Sequence, residues 1–226
     1  MTIAMSALRF LPLFSLVLIP SPLDAAEEDG NVWLGQFATV NASEDIYVRL
    51  EAQERLTNDA ERLGQLLLRS LVGYRISKGV NIGAGYAYVL TDPVGPAKFN
   101  EHRFYQELNI RLLATSGGTT LDSRTRLEQR TFEEREGTAW RLRQFVQLRV
   151  PVSKDNRIVA YTEPFVELDA GPVQRGGLSV WRNFVGVSFP LAKGVEVVPG
   201  YLNQRVWRDG PDRIDHTANL NLFVTF

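Results

Sequence analysis

"RTRLEQR", residues 124–130, sets Arg124, Arg126, Glu128 and Arg130 at every second position, with Thr125, Leu127 and Gln129 between them. Successive side chains of an extended chain point to opposite faces, so this stretch shows four charges on one face. The fold depends on what environment accepts that face.

The same alternation recurs along the chain. In 101–112, Glu101, Arg103, Tyr105, Glu107, Asn109 and Arg111 share one face, opposite Phe104, Leu108, Ile110 and Leu112 with His102 and Gln106. In 140–150, Arg141, Arg143, Phe145, Gln147 and Arg149 oppose Trp140, Leu142, Val146, Leu148 and Val150. The last segment places Thr217, Asn219, Asn221 and Thr225 opposite Ala218, Leu220, Leu222, Val224 and Phe226. A soluble β-sandwich hides the oily face in a core, whereas a membrane barrel turns it to lipid, and alternation alone permits both.

Apolar segments rich in Val, Leu, Tyr, Phe and Trp fall near 31–41, 45–56, 64–76, 80–91, 100–113, 118–132, 138–151, 157–168, 176–190, 194–207 and 213–226. No long helix interrupts these eleven segments. "SKG" (77–79), "TSGG" (115–118), "SKDN" (153–156) and "AKG" (192–194) are tight links: in three of them glycine supplies the positive φ that hairpins demand, and the Asp-Asn pair of the other tolerates it. Between them, "TDPVGPAKFN" (91–100), "EEREG" (133–137), "AGPVQRGG" (170–177) and "RDGPD" (208–212) are longer and polar. Short turns at one end and long loops at the other is the asymmetry of outer-membrane barrels.

The N-terminus points the same way. Arg9 precedes the apolar run "FLPLFSLVLIP" and then "SPLDAA", which reads as a secretory signal peptide over 1–26, cleaved after Ala25 or Ala26, with an uncleaved anchor as the alternative. Nothing later approaches the roughly 20 apolar residues that a spanning helix needs, so entry into a membrane is expected through strands. There is no cysteine, which excludes disulfides and thiolate metal sites, and a net charge of −1 gives no reason to expect nucleic acid as a partner.

Trp33, Tyr86, Tyr88, Trp140, Trp181, Tyr201 and Trp207 lie near strand ends and suit interfacial girdles, and the chain finishes on an outward Phe226. The expected architecture is all-β: one antiparallel up-and-down transmembrane β-barrel over 27–226 in the bacterial outer membrane. Lipid and, through the strand ending at Phe226, the barrel-assembly machinery are its expected partners. Bacterial single-chain barrels usually have an even strand count. Eleven segments therefore imply one missed strand within 27–56, giving twelve strands, with ten as the second choice. Nothing in the sequence sets an oligomeric state.

The order of "VWLGQF" (32–37), "RLEAQER" (49–55), "VGYRISKGVNIGAGYAYV" (72–89), "NEHRFYQEL" (100–108), "RTRLEQR" (124–130), "WRLRQFVQLRV" (140–150), "EPFVEL" (163–168), "GVEVVPGYLNQ" (194–204) and "HTANLNLFVTF" (216–226) resembles domain-of-unknown-function family 2490 of bacteria. That resemblance implies an outer-membrane barrel and transfers no catalytic residue.

No nucleophile elbow, HExxH or phosphate-binding loop is present, and neither of the two histidines has metal-motif spacing, so no cofactor is expected. An enzymatic reading joins His102 or His216 to a Ser or Thr and a carboxylate on the outer face; histidines at an aqueous rim are the simpler reading. Glycines 73, 83, 85, 186 and 200 lie within strands, where close packing explains them better than nucleotide binding.

The remaining constellation is the charged face. Arg49, Glu51, Arg103, Glu107, Arg111, Arg124, Arg126, Glu128, Arg130, Arg141, Arg143, Arg149, Glu163, Glu167 and Arg182, with Arg55, Arg69 and Arg75, share the inward parity. An Arg on the lipid face costs about 2–4 kcal/mol near the midplane, so segregation to one face implies a polar lumen. Two readings compete: Arg and Glu cross-link into a closed plug, or excess Arg lines an anion-leaning channel. The neighbours of 124–130 decide between them, namely whether Glu107 on one side and Arg141 or Arg143 on the other complete the ladder.

Overall fold

The computed structural model describes residues 26–226 except 94, 96, 97, 134, 172 and 173, so the signal segment expected over 1–26 lies, but for Ala26, outside the described residues. Eleven strands follow one another: β1 (Glu27–Asn41), β2 (Ile46–Thr57), β3 (Arg62–Ser77), β4 (Val80–Thr91), β5 (Phe99–Ala114), β6 (Thr120–Phe132), β7 (Arg135–Pro151), β8 (Arg157–Glu167), β9 (Gly177–Ala192), β10 (Val195–Val206) and β11 (Arg213–Thr225). Each pairs antiparallel with its chain neighbours, and the sheet closes into a barrel through β1 and β11.

The closing pair is parallel, in register from Glu27↔Arg213 to Thr39↔Thr225. The expectation of twelve strands, or ten, and of a wholly antiparallel barrel is thereby corrected. Residues 27–56 hold two strands and one turn, not a hidden third strand, because β1 runs unbroken for 15 residues. With an odd count, β1 and β11 ascend in the same direction. Parallel ladders have evenly spaced hydrogen bonds and close the sheet as completely as antiparallel ones, leaving no edge. Asn41 strengthens the seam, since its backbone N–H and side-chain amide both donate to the Phe226 carbonyl.

Connections 42–45, 78–79, 115–119, 152–156 and 193–194 form one rim, where Gly79, Gly118 and Gly194 adopt positive φ as their turns require. The opposite rim carries 58–61, 92–98, 133–134, 168–176 and 207–212. "EEREG", expected as a loop over 133–137, is strand from Arg135 onward, where β7 begins. An odd strand number puts Glu27 at the long-loop rim and Phe226 at the short-turn rim.

Leu50, Leu68, Val72, Ile76, Phe104, Leu112, Val185, Leu191 and Leu220 are exposed on the outside, so the exterior is oily while the interior holds most of the charge. No described helix is long and apolar enough to cross a membrane. Trp181 and Tyr201 are exposed outward, but Trp33 departs from the girdle expectation. It shares inward parity with Asn31 and Gly35 and is buried between the Arg55 and Arg182 guanidiniums, 4.0 and 4.9 Å from its ring centre.

Inward glycines make room for inward rings. A Cβ on Gly85 meets the Tyr105 ring at 2.5 Å, and one on Gly200 meets Phe184 at 2.5 Å.

The seam predicts a cross-link. With no native cysteine, Leu34→Cys/Leu220→Cys joins outward residues in direct register, and directly facing strand residues fall within disulfide reach. Non-reducing electrophoresis of the denatured chain is expected to show a faster-migrating closed loop. A linear species under oxidation, alongside successful cross-linking of the antiparallel control pair Leu34→Cys/Glu54→Cys, contradicts the parallel closure.

Candidate functional site: the barrel interior

The turn chemistry above fixes the register of β5, β6 and β7, and the register brings the charges of 124–130 against partners on both sides. Glu107 faces Arg126 directly, and Glu128 faces Arg141. The Arg126 Nη2 and Nε donate to Glu107 at 2.6 and 3.1 Å. Glu128 accepts from Arg141 at 2.5 and 2.9 Å and from Arg143 at 2.9 Å. Arg143 also holds Glu163, its Nη2 donating to Oε2 at 2.9 Å and its Nε to Oε1 at 3.2 Å, a bidentate grip that a guanidinium's planar fork makes natural.

The lattice continues around the wall. Arg49 reaches Glu107 at 2.8 Å, and Arg69 reaches Glu51 at 2.7 Å. Arg124 reaches Glu163 at 2.9 Å and lies over the Phe145 ring at 4.6 Å. Arg103 donates to Glu101 at 2.7 Å, and Arg130 joins Glu101 to Glu167, the latter at 3.2 Å. Arg182 donates to Gln204 at 2.7 Å and stands 4.0 Å from Glu163. Arg111 and Arg149 lie nearer the short-turn rim, where Arg111 pairs with Asp122 at 2.7 Å and Arg149 with Glu196.

Two like-charged pairs face each other across strands, Arg126↔Arg143 and Arg103↔Arg130, which alone destabilises a sheet. Each sits among carboxylates: Glu107 and Glu128 serve the first pair, and Glu101 serves both members of the second. Tyr105 fills the space between the Arg69 and Arg126 guanidiniums, 5.6 and 4.5 Å from its ring centre, and donates its hydroxyl to the Ser70 carbonyl at 3.0 Å. At this level the barrel is filled: the Arg126 side chain has 0% and that of Glu128 1% of its surface accessible.

The other half of the interior holds an apolar cluster among buried polar side chains such as Gln204, Thr217 and Asn219. Trp33, Val159, Phe184, Val198 and Leu202 form a buried cluster, with Tyr161 and Phe223 packed against it. Between the aromatic and charged walls lies a cavity of about 270 Å³. It shares Thr39, Arg49, Arg124, Phe145 and Gln147 with a vestibule of about 350 Å³ that reaches Gly79 and Arg111 at the short-turn rim.

Both histidines point outward near the long-loop rim. His102 Nδ1 lies 2.6 Å from the Tyr86 hydroxyl and its Nε2 3.2 Å from Glu133, which also accepts from Tyr88 at 2.9 Å and Asn100 at 2.7 Å. The Asn100 amide first, then the Tyr88 hydroxyl and His102, hold the Glu133 carboxyl below its ordinary range. His216 Nδ1 repeats the motif with Tyr201 at 2.7 Å. Among the described residues neither histidine is hydrogen-bonded to a Ser or Thr, and no group of His, Asp and Glu could hold a metal ion.

A family model described as a protein of unknown function (DUF2490) matches residues 30–215. The chain belongs to the DUF2490 family. An uncharacterized protein of Methylorubrum extorquens is 34% identical over 227 residues, covering 96% of this chain and 97% of that protein. No solved structure matches. The match spans β1 through the start of β11, so the charged wall falls within the family region, as does the aromatic wall apart from Phe223.

Sequence parity brought the charges of this DUF2490 barrel to one face but passed over its aromatic wall. Phe37, Tyr161, Phe184 and Phe223 stand two or four positions from inward Trp33, Glu163, Arg182 and Asn221 and share their face, so the parity that orders the charges orders the rings as well. An emphasis on charge hid it.

Removing one member of a buried, hydrogen-bonded charge set costs about 3–5 kcal/mol, whereas an exposed pair is worth about 0–1 kcal/mol. Glu128→Gln, which strips a carboxylate from both Arg141 and Arg143, is therefore expected to lower the stability of refolded protein by several kcal/mol in urea titration. Asp122→Asn at the exposed Arg111 pair is expected to change it by less than about 1 kcal/mol. Equal effects at the two sites contradict the lattice's role.

Proposed function

We propose that this DUF2490 protein is an outer-membrane β-barrel, exported by its N-terminal segment, whose interior is closed by its own side chains. The observation that carries the closure is the burial of Arg126 and Glu128 at the middle of the barrel, where charge, counter-charge and Tyr105 take up the space an ion path needs. The oily exterior around a sheet without edges supports the membrane reading, since lipid offers backbone groups no hydrogen bonds. Phe226, exposed at the end of β11, suits recognition by the barrel-assembly machinery. Outer-membrane lipid is then the partner of the exterior.

The anion-leaning channel is the second reading, favoured by the vestibule and the arginines around it. It requires the lattice from Arg49 to Glu167 to part, breaking several buried charge-assisted bonds together, each among the stronger kinds of hydrogen bond. A lipid-modifying enzyme is less supported, because His102 and His216 are engaged with tyrosines and, for His102, with Glu133.

Membrane fractionation and planar-bilayer recording test the proposal together. The protein is expected in the outer-membrane fraction with heat-modifiable migration, and refolded protein is expected to add no conductance above lipid alone. Recovery in the soluble periplasm removes the membrane reading. Anion-selective conductance that reverses preference in Arg126→Glu or Arg143→Glu removes the closed interior and restores the channel.

A further inference from the structure

We propose that the cavity in the short-turn half of the barrel binds a small organic anion that joins one carboxylate to a flat apolar body, of the aryl carboxylate class. The inference rests on the closed interior proposed above, because the lattice makes the cavity a blind pocket entered from the short-turn rim.

Charge is the first argument. Seven arginines line the cavity, against Glu51 and Glu163. Counting also Glu107, Glu128 and Glu196, which pair with Arg49, Arg143 and Arg149, seven guanidiniums meet five carboxylates, an excess of at least two because Glu107 and Glu128 are shared with Arg126 and Arg141. Arg55 shows where part of the excess lies. Among the described residues no carboxylate comes within 4.0 Å of it, and its N–H groups go to the side-chain carbonyls of Gln53 and Gln65 at 2.6–3.1 Å. Arg182, 4.0 Å from Glu163, shares the Trp33 ring with it.

Unpaired polar atoms are the second argument. Trp33 Nε1 and the Nε atoms of Arg69, Arg124 and Arg149 are buried without an acceptor, and all four residues line this cavity. Every unpaired buried side-chain atom on its lining residues is a donor. Those four atoms are covered by their neighbours, and the donors that open on the cavity are on guanidiniums that keep accessible surface, such as those of Arg49, Arg124 and Arg149; such a wall, with its surplus positive charge, is complementary to a carboxylate, which offers acceptors only.

The opposite wall sets the rest of the ligand. Tyr161 and Phe184 stack at 4.8 Å and 16°, and Phe37 and Phe223 at 4.7 Å and 15°. Such a face rewards a flat ring and gives nothing to a strongly hydrated inorganic anion, whose water it cannot replace. A volume of about 270 Å³ is at the small end of ligand sites, which suits one or two fused rings. Entry passes Arg49, Arg124 and Arg149, whose side chains stay 20%, 19% and 23% accessible.

Isothermal titration of refolded protein in detergent with 2-naphthoate tests this, with neutral 2-naphthalenemethanol as the uncharged counterpart. One saturable site is expected for naphthoate, with binding at least about tenfold weaker for the alcohol and about tenfold weaker for naphthoate after Arg124→Gln, the loss of one charge-assisted contact. Val198→Trp, which fills the cavity from its apolar wall, is expected to abolish binding while heat-modifiable migration persists. Should that variant not fold, the alcohol comparison on the native chain still decides. Non-saturable partitioning, equal affinity for the alcohol, or full binding by a folded Val198→Trp barrel overturns the site. An absence of binding by protein that stays non-conducting overturns the ligand site alone, whereas conductance overturns the closed interior beneath it.

Discussion

A guanidinium inside a narrow barrel must find acceptors, carboxylates above all, because water is largely excluded and a buried charge with no partner is prohibitively costly. That constraint ties β2 to the five consecutive strands β5–β9. Glu107 on β5 serves Arg49 on β2 and Arg126 on β6, and Glu128 on β6 serves two arginines of β7. Glu163 on β8 is reached from β6, β7 and β9. No strand can slip by one residue without throwing its charges to the oily exterior and its leucines inward, so the same residues that fill the interior also set the register. Buried ion pairs are often no more stabilising than well-packed apolar groups. Here their value lies in marking the inner face, which an all-apolar strand cannot do.

The interior is divided, not uniformly polar. The charged lattice spans β2, β3 and β5–β9, and the aromatic cluster spans β1 and β8–β11, with Arg55 and Arg182 stacking on Trp33 where the two meet. Inward glycines on β4, β9 and β10 allow large rings to approach the backbone, as Gly85 does for Tyr105 and Gly200 for Phe184. Where the walls fit closely the barrel is solid. Toward the short-turn rim they separate, and that mismatch leaves the cavity.

The strands and faces were legible in the sequence because alternation is local: eleven segments, tight glycine turns and the inward charges of 124–130 all follow from a period of two. The parallel seam was not, because it depends on the parity of the strand number, a global property to which β1 and β11 contribute nothing distinctive locally. The even-number habit of bacterial barrels outweighed the direct segment count, and the direct count of eleven agrees with the structure. Trp33 was misplaced for a related reason. An aromatic near a strand end suits a girdle or an interior equally, and only its parity with Asn31 and Gly35 separates them. The sequence places Glu107 and Arg141 or Arg143 on the strands beside 124–130, but which of them faces which residue is a matter of register, and register depends on turn geometry at both rims.

Whether the lattice acts as one coupled unit can be read from a double-mutant cycle at Glu107 and Arg126, which meet at 2.6 Å with both side chains fully buried. Unfolding free energies of native protein, Glu107→Gln, Arg126→Met and the double variant, taken in urea under reversible conditions in lipid vesicles, give the coupling directly. The account predicts that the double variant is less destabilised than the sum of the single variants by more than about 1 kcal/mol. Additive effects, with no coupling between the two positions, contradict it.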